Sequence, residues 1–229
     1  METATYISNL WHSDGPLFSV IYEFNNGMAA YAHSDFFPET VEKKAIQLIA
    51  QSPTYGGKIL EYVRHLLEID NLGWYNFSEK RYGLCLLSAD EIQRIICYIG
   101  GICFSEQIRK IILGRELLKL KHVMGNDAYL FSLRSASLMI RADVAERFQA
   151  EGKTLVERVW NTGKSIIEMS LAGLPREIAQ RFTLKFPRNF GWNFAHRVDN
   201  PGHYFDFVRK VVKRALRGSD NAAVSMIKA

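Results

Sequence analysis

The chain has 229 residues, 48% hydrophobic and 23% charged, with a net charge of +5. This is the composition of an ordinary soluble globular protein, long enough to bury a substantial core. Its longest run without a charged or strongly polar residue, Ile95 to Phe104, is ten residues, whereas a membrane-spanning helix needs about 20.

The start, METATYISNLWHSDG, has no basic stretch leading into an apolar one, so no secretory leader is expected. Cys85, Cys97 and Cys103 are odd in number and lack C-x-x-C spacing. That points to a reducing compartment and away from a disulfide framework or a zinc site. The basicity is concentrated: between Phe205 and Arg217, five cations face Asp206 alone, leaving +1 for the remainder.

In chain order, residues 1–37 read as an irregular segment packed on the domain, with PLFSVIYEF (16–24) a possible short strand between turn residues. From Pro38 the pattern turns helical, with Pro38 suited to a first turn and Val41, Ala45, Leu48 and Ile49 on one face. After Ser52-Pro53 and Gly56-Gly57, a second helix carries Ile59, Tyr62, Val63, Leu66, Leu67 and Ile69. Asn71 to Leu87 reads as an aromatic-rich loop. Ser88-Ala-Asp-Glu91 is a capping box opening an apolar helix, Ile92 to Ile99, expected to stop at Gly100-Gly101.

A helix from about Ser105 to Val123 follows. Another is capped by Asn126-Asp127 and runs through Tyr129, Leu133 and Leu138. Residues 144–172 are expected to be helical with an interruption near Gly152 or Gly163. Pro175 to Phe182 is a short helix, RNFGWNFAH an aromatic loop, and His203 to Arg217 the last helix. The expected organisation is an all-α or nearly all-α helical domain over 38–217 and a flexible tail over 218–229.

No constellation of catalytic residues emerges. Asn161-Thr-Gly-Lys-Ser165 ends like a phosphate-binding loop, but Arg158 stands where the first glycine belongs, and the flanks continue a helical stripe. No two of the six histidines are three or four apart, and no G-x-S-x-G occurs. No cofactor, metal or catalytic residue is therefore expected.

In the terminal helix, Phe205, Val208, Val212 and Ala215 share one face, while Arg209, Lys210, Lys213, Arg214 and Arg217 line another. That basic face is either simply solvated or a contact for an acidic protein, anionic lipid or nucleic acid. A basic helical nucleic-acid-binding protein is thus an alternative reading. The aromatics of WYNF (Trp74, Tyr75) and FGWNF (Trp192) are core residues or, if exposed, anchors of a protein interface.

Three stretches carry a resemblance. Tyr31-x-His33-x-x-Phe36-Phe37-Pro38, with Phe24 upstream, resembles the amino-terminal signature of the SctK family. These are accessory proteins of bacterial type III secretion, the YscK-, PscK-, OrgA- and MxiK-like proteins. Tyr129-x-Phe131-x-Leu133-Arg134-x-Ala136-x-Leu138 is similar to the family's mid-chain pattern. Leu174-Pro175-x-x-Ile178-x-x-Arg181-Phe182-x-Leu184-Lys185-Phe186-Pro187 resembles its L-P, short helix, arginine, L-x-L-P run. Ser34 replaces the usual proline, and Phe36 and Phe37 stand where Trp or Leu are common.

The resemblance implies a non-enzymatic cytoplasmic adaptor of the secretion sorting platform, at the cytoplasmic face of the inner membrane. It would join the cytoplasmic domain of the ring protein SctD to the pod protein SctQ, and through it SctL and the ATPase SctN. It implies structural roles for Tyr31, His33, Phe37, Pro38, Arg134, Leu174, Pro175, Arg181, Leu184, Phe186 and Pro187, and no nucleic-acid partner. By their alternation, Leu184 and Phe186 are expected to share one face of an extended segment, with Lys185 exposed between them.

Overall fold

A computed structural model describes residues 8, 10–40, 42–52, 54–69, 73–112, 114–136, 139, 152–195 and 198–229. Every regular element among the described residues is helical, so the fold is all-α.

Helix α5 (Ala89–Cys103) is the central element. Its capping box forms as the sequence dictates: Glu91 N–H donates to Ser88 Oγ at 3.2 Å, and Ser88 N–H donates to the Glu91 carboxylate at 2.8 Å. From Ile95 to Ile102 every side of it is buried, as expected of a helix surrounded by others. Gly100 and Gly101 do not end it. They lie within the helix because neighbours approach too closely for side chains: a Cβ on Gly100 would stand 2.1 Å from the Val159 carbonyl oxygen.

That carbonyl belongs to α9 (Leu155–Ser170), which crosses α5 and α11 (Pro201–Ala215). A second capping box, Thr154 with Glu157, opens α9, which then runs through Gly163 without a break. The part of the expected 144–172 helix before residue 152 lies outside the described residues, as does Leu138. Around this centre stand α6 (Ser105–Arg109), α7 (Gly114–Met124) and α8 (Asn126–Arg134). The single helix expected over 105–123 is divided between α6 and α7, and the cap of α8 is Gly125 rather than Asn126-Asp127.

The amino-terminal third differs most from expectation. Residues 16–24 form no strand; they lie in helix α1 (Gly15–Asn26), where Asp14 accepts the Leu17 N–H at 3.0 Å. Leu17, Val20, Ile21 and Phe24 stand at helical spacing, and Ile21 and Phe24 enter the main core. A short α2 (Met28–Tyr31) and a 3₁₀ turn at Ser34–Phe36 follow. Pro38 precedes rather than opens α3 (Lys43–Ala50), whose buried residue is Ile46, while Leu48 and Ile49 are exposed.

α3 pairs with α4 (Gly56–Leu66) over a second, smaller core of Met28, Ala29, Ala32, Phe37, Ile46, Val63, Ile69 and Leu184. The expected loop 71–87 contains a buried 3₁₀ run, Lys80–Leu86. The expected tail is also ordered: Asn221 caps α12 (Ala222–Lys228), which buries Ala223, Val224 and Ile227 against the 3₁₀ run, α1 and α11. Between α9 and α11 lies α10 (Arg176–Thr183), capped by Pro175. No helix among the described residues is long and apolar enough to cross a membrane.

Candidate functional site

The first and third motifs meet. The His33 N–H donates to the Leu184 carbonyl at 2.6 Å, and the Arg188 N–H donates to the Asp35 carboxylate at 3.3 Å. The Arg188 guanidinium lies over the Phe36 ring, 5.1 Å from its centroid. His33 Nδ1 accepts the Asp35 N–H at 3.3 Å, which fixes the 3₁₀ turn. Tyr31 stacks on Phe24, and its hydroxyl donates to the Phe24 carbonyl at 2.7 Å. YAHSDFFP is therefore a docking segment, held to residues 184–188 by backbone, charge and ring contacts.

LKFP is a tight turn, not an extended strand. Leu184 has helical dihedrals, and the N–H groups of Lys185 and Phe186 reach back to the Phe182 and Thr183 carbonyls. Its side chains consequently diverge. Leu184 enters the small core, and Phe186 the main one. Phe186 lies 4.7 Å from Phe190, 5.0 Å from Trp192 and 5.3 Å from Phe182 between ring centroids.

Lys185, expected to be exposed, is buried at 8% accessibility. Its ammonium donates to the Cys85 and Leu87 carbonyls, each at 2.6 Å, and lies 5.1 Å from the Phe24 ring and 5.4 Å from the Tyr31 ring. The 3₁₀ run leaves those carbonyls pointing inward, and the lysine satisfies them. Burial lowers its pKa to about 8. Burial also raises the Tyr31 phenol, against the pull of the Arg181 cation, and pushes the Cys85 thiol up to about 12. Neither is ionised near neutrality, so neither is an activated nucleophile there.

Arg181 is fully buried and donates to the Glu177 carbonyl at 3.1 Å. Leu174 packs on the main core, Pro175 caps α10, and Pro187 precedes the 3₁₀ turn Arg188–Phe190. The middle motif stays apart from this junction: Tyr129 and Phe131 line the main core, and Arg134 is exposed at the end of α8.

NTGKS lies inside α9, where backbone N–H groups serve the helix ladder and cannot cradle phosphate. Lys164 donates to the Gly191 carbonyl at 2.6 Å and pairs with Glu168 at 3.2 Å. Among the described residues no group of three His, Cys, Asp or Glu could hold a metal ion.

A family model, YOP proteins translocation protein K (YscK), matches residues 19–216. The chain belongs to the YscK family. It is thus a type III secretion translocation protein, and the SctK resemblance of its motifs is the same assignment. No curated protein and no solved structure matches it. The family match begins within α1 and takes in the small core, most of the main core and the motif junction, leaving out Arg217 and α12 with its three main-core residues.

Outside the junction, this family member presents two surfaces. Lys210, Lys213 and Arg214 are exposed on α11 and Arg217 just beyond its end, and none has an acidic partner among the described residues; Arg209 pairs with Asp206 at 3.3 Å. Arg214 lies over Phe131 of α8, and Arg109 donates to the Leu133 carbonyl at 3.1 Å. Cations of α6, α8 (Arg134) and α11 thereby gather near the carboxyl end of α8, which periodicity within one helix could not show.

The second surface was not anticipated: Leu48, Ile49, Tyr55 and Tyr62 are exposed on and between α3 and α4, Leu48 at 71%. Its only signal in the sequence is an apolar set wider than one buried face requires. Trp74, Tyr75 and Trp192 are half-buried against the main core instead. Buried Asn25 clamps Trp74, donating to its carbonyl at 2.7 Å and accepting its N–H at 2.8 Å.

Proposed function

We propose that this chain is a cytoplasmic adaptor of a bacterial type III secretion sorting platform, working by binding and not by catalysis. It joins the cytoplasmic domain of an SctD-like ring protein to an SctQ-like pod protein, and through it SctL and SctN. It is peripheral to the inner membrane and needed for assembly and secretion. Family membership over residues 19–216 carries this reading.

The two surfaces support it. An adaptor needs separate faces, and here one is basic and built on the main core, the other apolar and built on the small core. Exposed aromatic and aliphatic side chains suit the buried centre of a protein interface, while cations suit an acidic partner. The motif junction links the two cores beneath these faces, with Leu184 in one and Phe186 in the other.

Capture assays with purified SctD-like and SctQ-like proteins test the reading. Lys213→Glu with Arg217→Glu should lose one partner and keep the other, and Leu48→Ser with Tyr62→Ser should do the reverse. Capture of neither protein by the wild type, with normal secretion in a deletion strain, overturns it. A DNA duplex that shifts at low salt while both proteins fail to bind would favour the nucleic-acid reading instead.

A further inference from the structure

A second basic segment precedes α11 in the chain, and its first cation, Arg109, shares the carboxyl end of α8 with Arg214 of α11. Between Arg109 and Lys121 five cations face Glu116 alone, the same +4 as residues 205–217, so the remainder of the chain is −3. These residues span the end of α6, the stretch 110–112 and α7.

Their apolar residues are placed unusually. Ile112 is 95% exposed and Leu118 68%. The inner face of α7 is complete without them, since Leu120 and Met124 are buried and Leu117 packs on the core. Its outer face carries Arg115, Leu118, Lys119 and His122, at the i, i+3, i+4, i+7 spacing of one helical stripe. Arg109 and Lys110 are exposed just before Ile112. An aliphatic tip thus stands between cations on both sides, beside a helix whose outer stripe repeats that mixture.

We propose that the surface formed by the end of α6, residues 110–112 and the outer stripe of α7 docks on an anionic phospholipid bilayer. Ile112 and Leu118 enter the boundary between headgroups and acyl chains, and Arg109, Lys110, Arg115 and Lys119 lie among the lipid phosphates. The chemistry is complementary at two depths. Exposed aliphatic side chains gain by leaving water, while long basic side chains keep their charge at the headgroup level. The α11 surface lacks this pairing: among the described residues it shows no exposed large apolar side chain, so its cations suit an acidic protein. Membrane contact of this kind goes beyond adaptor binding and does not depend on it.

Co-sedimentation of the full chain with vesicles tests the proposal, using phosphatidylcholine alone or mixed with phosphatidylglycerol. Binding is expected to the mixed vesicles at low salt and to fall with added salt. Ile112→Ser with Leu118→Ser should weaken it by about tenfold, and Arg115→Glu with Lys119→Glu by at least about tenfold. Both pairs are exposed, so circular dichroism and melting temperature should stay at the wild-type values. Lys213→Glu with Arg217→Glu should leave vesicle binding within about twofold of wild type. The proposal fails if mixed vesicles are not bound at low salt, or if the serine pair binds as the wild type does. It also fails if the loss maps to Lys213 and Arg217, which would make the attraction a property of α11. The assay contains no other secretion protein, so its outcome is separate from that of the capture experiment.

Discussion

Gly100 and Gly163 seat α5 and α9 against each other reciprocally. A Cβ on Gly100 would fall 2.1 Å from the Val159 carbonyl oxygen of α9, and one on Gly163 would fall 2.2 Å from the Ile96 carbonyl oxygen of α5. Each helix gives up about 1 kcal/mol of propensity for the close approach. Alanine restores that propensity but pushes backbone against backbone. Gly100→Ala and Gly163→Ala should each lower stability by about 2–4 kcal/mol net, measured by urea denaturation. A gain in stability would mean the crossing is looser than described.

The same crossing accounts for the phosphate-loop fragment. Gly163 is present for packing, and Lys164 is engaged with Gly191 and Glu168. Nucleotide at millimolar concentration should leave the melting temperature unchanged. Lys164→Ala should cost about 1 kcal/mol, through its ion pair and backbone contact. A nucleotide-dependent rise in melting temperature that the alanine variant abolishes would refute this.

The LKFP turn makes three predictions of similar size by three mechanisms. Leu184→Ala opens the small core and Phe186→Ala the aromatic nest, each costing about 2–5 kcal/mol. Lys185→Ala, which an exposed lysine would tolerate, should cost about 2–4 kcal/mol because two buried carbonyls lose their donors. Denaturation midpoints check all three, and a neutral Lys185→Ala would contradict the buried placement.

Lys185 also gives stability a pH dependence of defined sign. Its pKa is about 8 in the folded chain, against 10.5 for an ordinary lysine. Between those values the unfolded chain holds the extra proton, so raising the pH favours the folded state. The cost of the buried charge is complete below pH 8 and gone above 10.5. Thiols act oppositely: Cys85, Cys97 and Cys103 are raised to about 12, and their contribution is present below about 9 and lost as pH climbs through 12. Subtracting a Lys185→Met variant isolates the lysine. The wild type should gain about 1–2 kcal/mol on the variant between pH 7 and 9; a gap that stays constant or narrows would place the amine in water.

Removing residues 218–229 tests the carboxyl terminus. A frayed tail could be cut without cost, whereas α12 buries Val224, Ile227 and Ala223 completely. Truncation should therefore lower stability by at least about 3 kcal/mol, visible as a reduced melting temperature. An unchanged melt would return these residues to solvent.

Local pattern was enough for much of this protein. Ser88 and Glu91 stand three apart at the head of an apolar run, so the cap of α5 follows from neighbours in sequence. Pro175 and the apolar spacing behind it place α10 in the same way. The three signatures made the family legible, because they are short and keep their order. Where strand and helix readings both fit, the choice depended on partners. Leu17, Val20, Ile21 and Phe24 suit a helix only once a core receives that face, and α12 is ordered only because α1, α11 and the 3₁₀ run surround it.

What tertiary structure alone decided involves groups far apart in the chain. His33 and Asp35 meet Leu184 and Arg188 across some 150 residues, and Lys185 finds the carbonyls of Cys85 and Leu87 about 100 residues earlier. Alternation assigned Lys185 to solvent because polarity predicts exposure for a lysine without a partner. Inward-pointing carbonyls reversed that, and no one-dimensional pattern records which carbonyls a distant helical turn leaves unpaired. The glycines follow the same logic. In sequence Gly100 and Gly163 read as breaks, because glycine weakens an isolated helix; in the fold each is the space another backbone occupies.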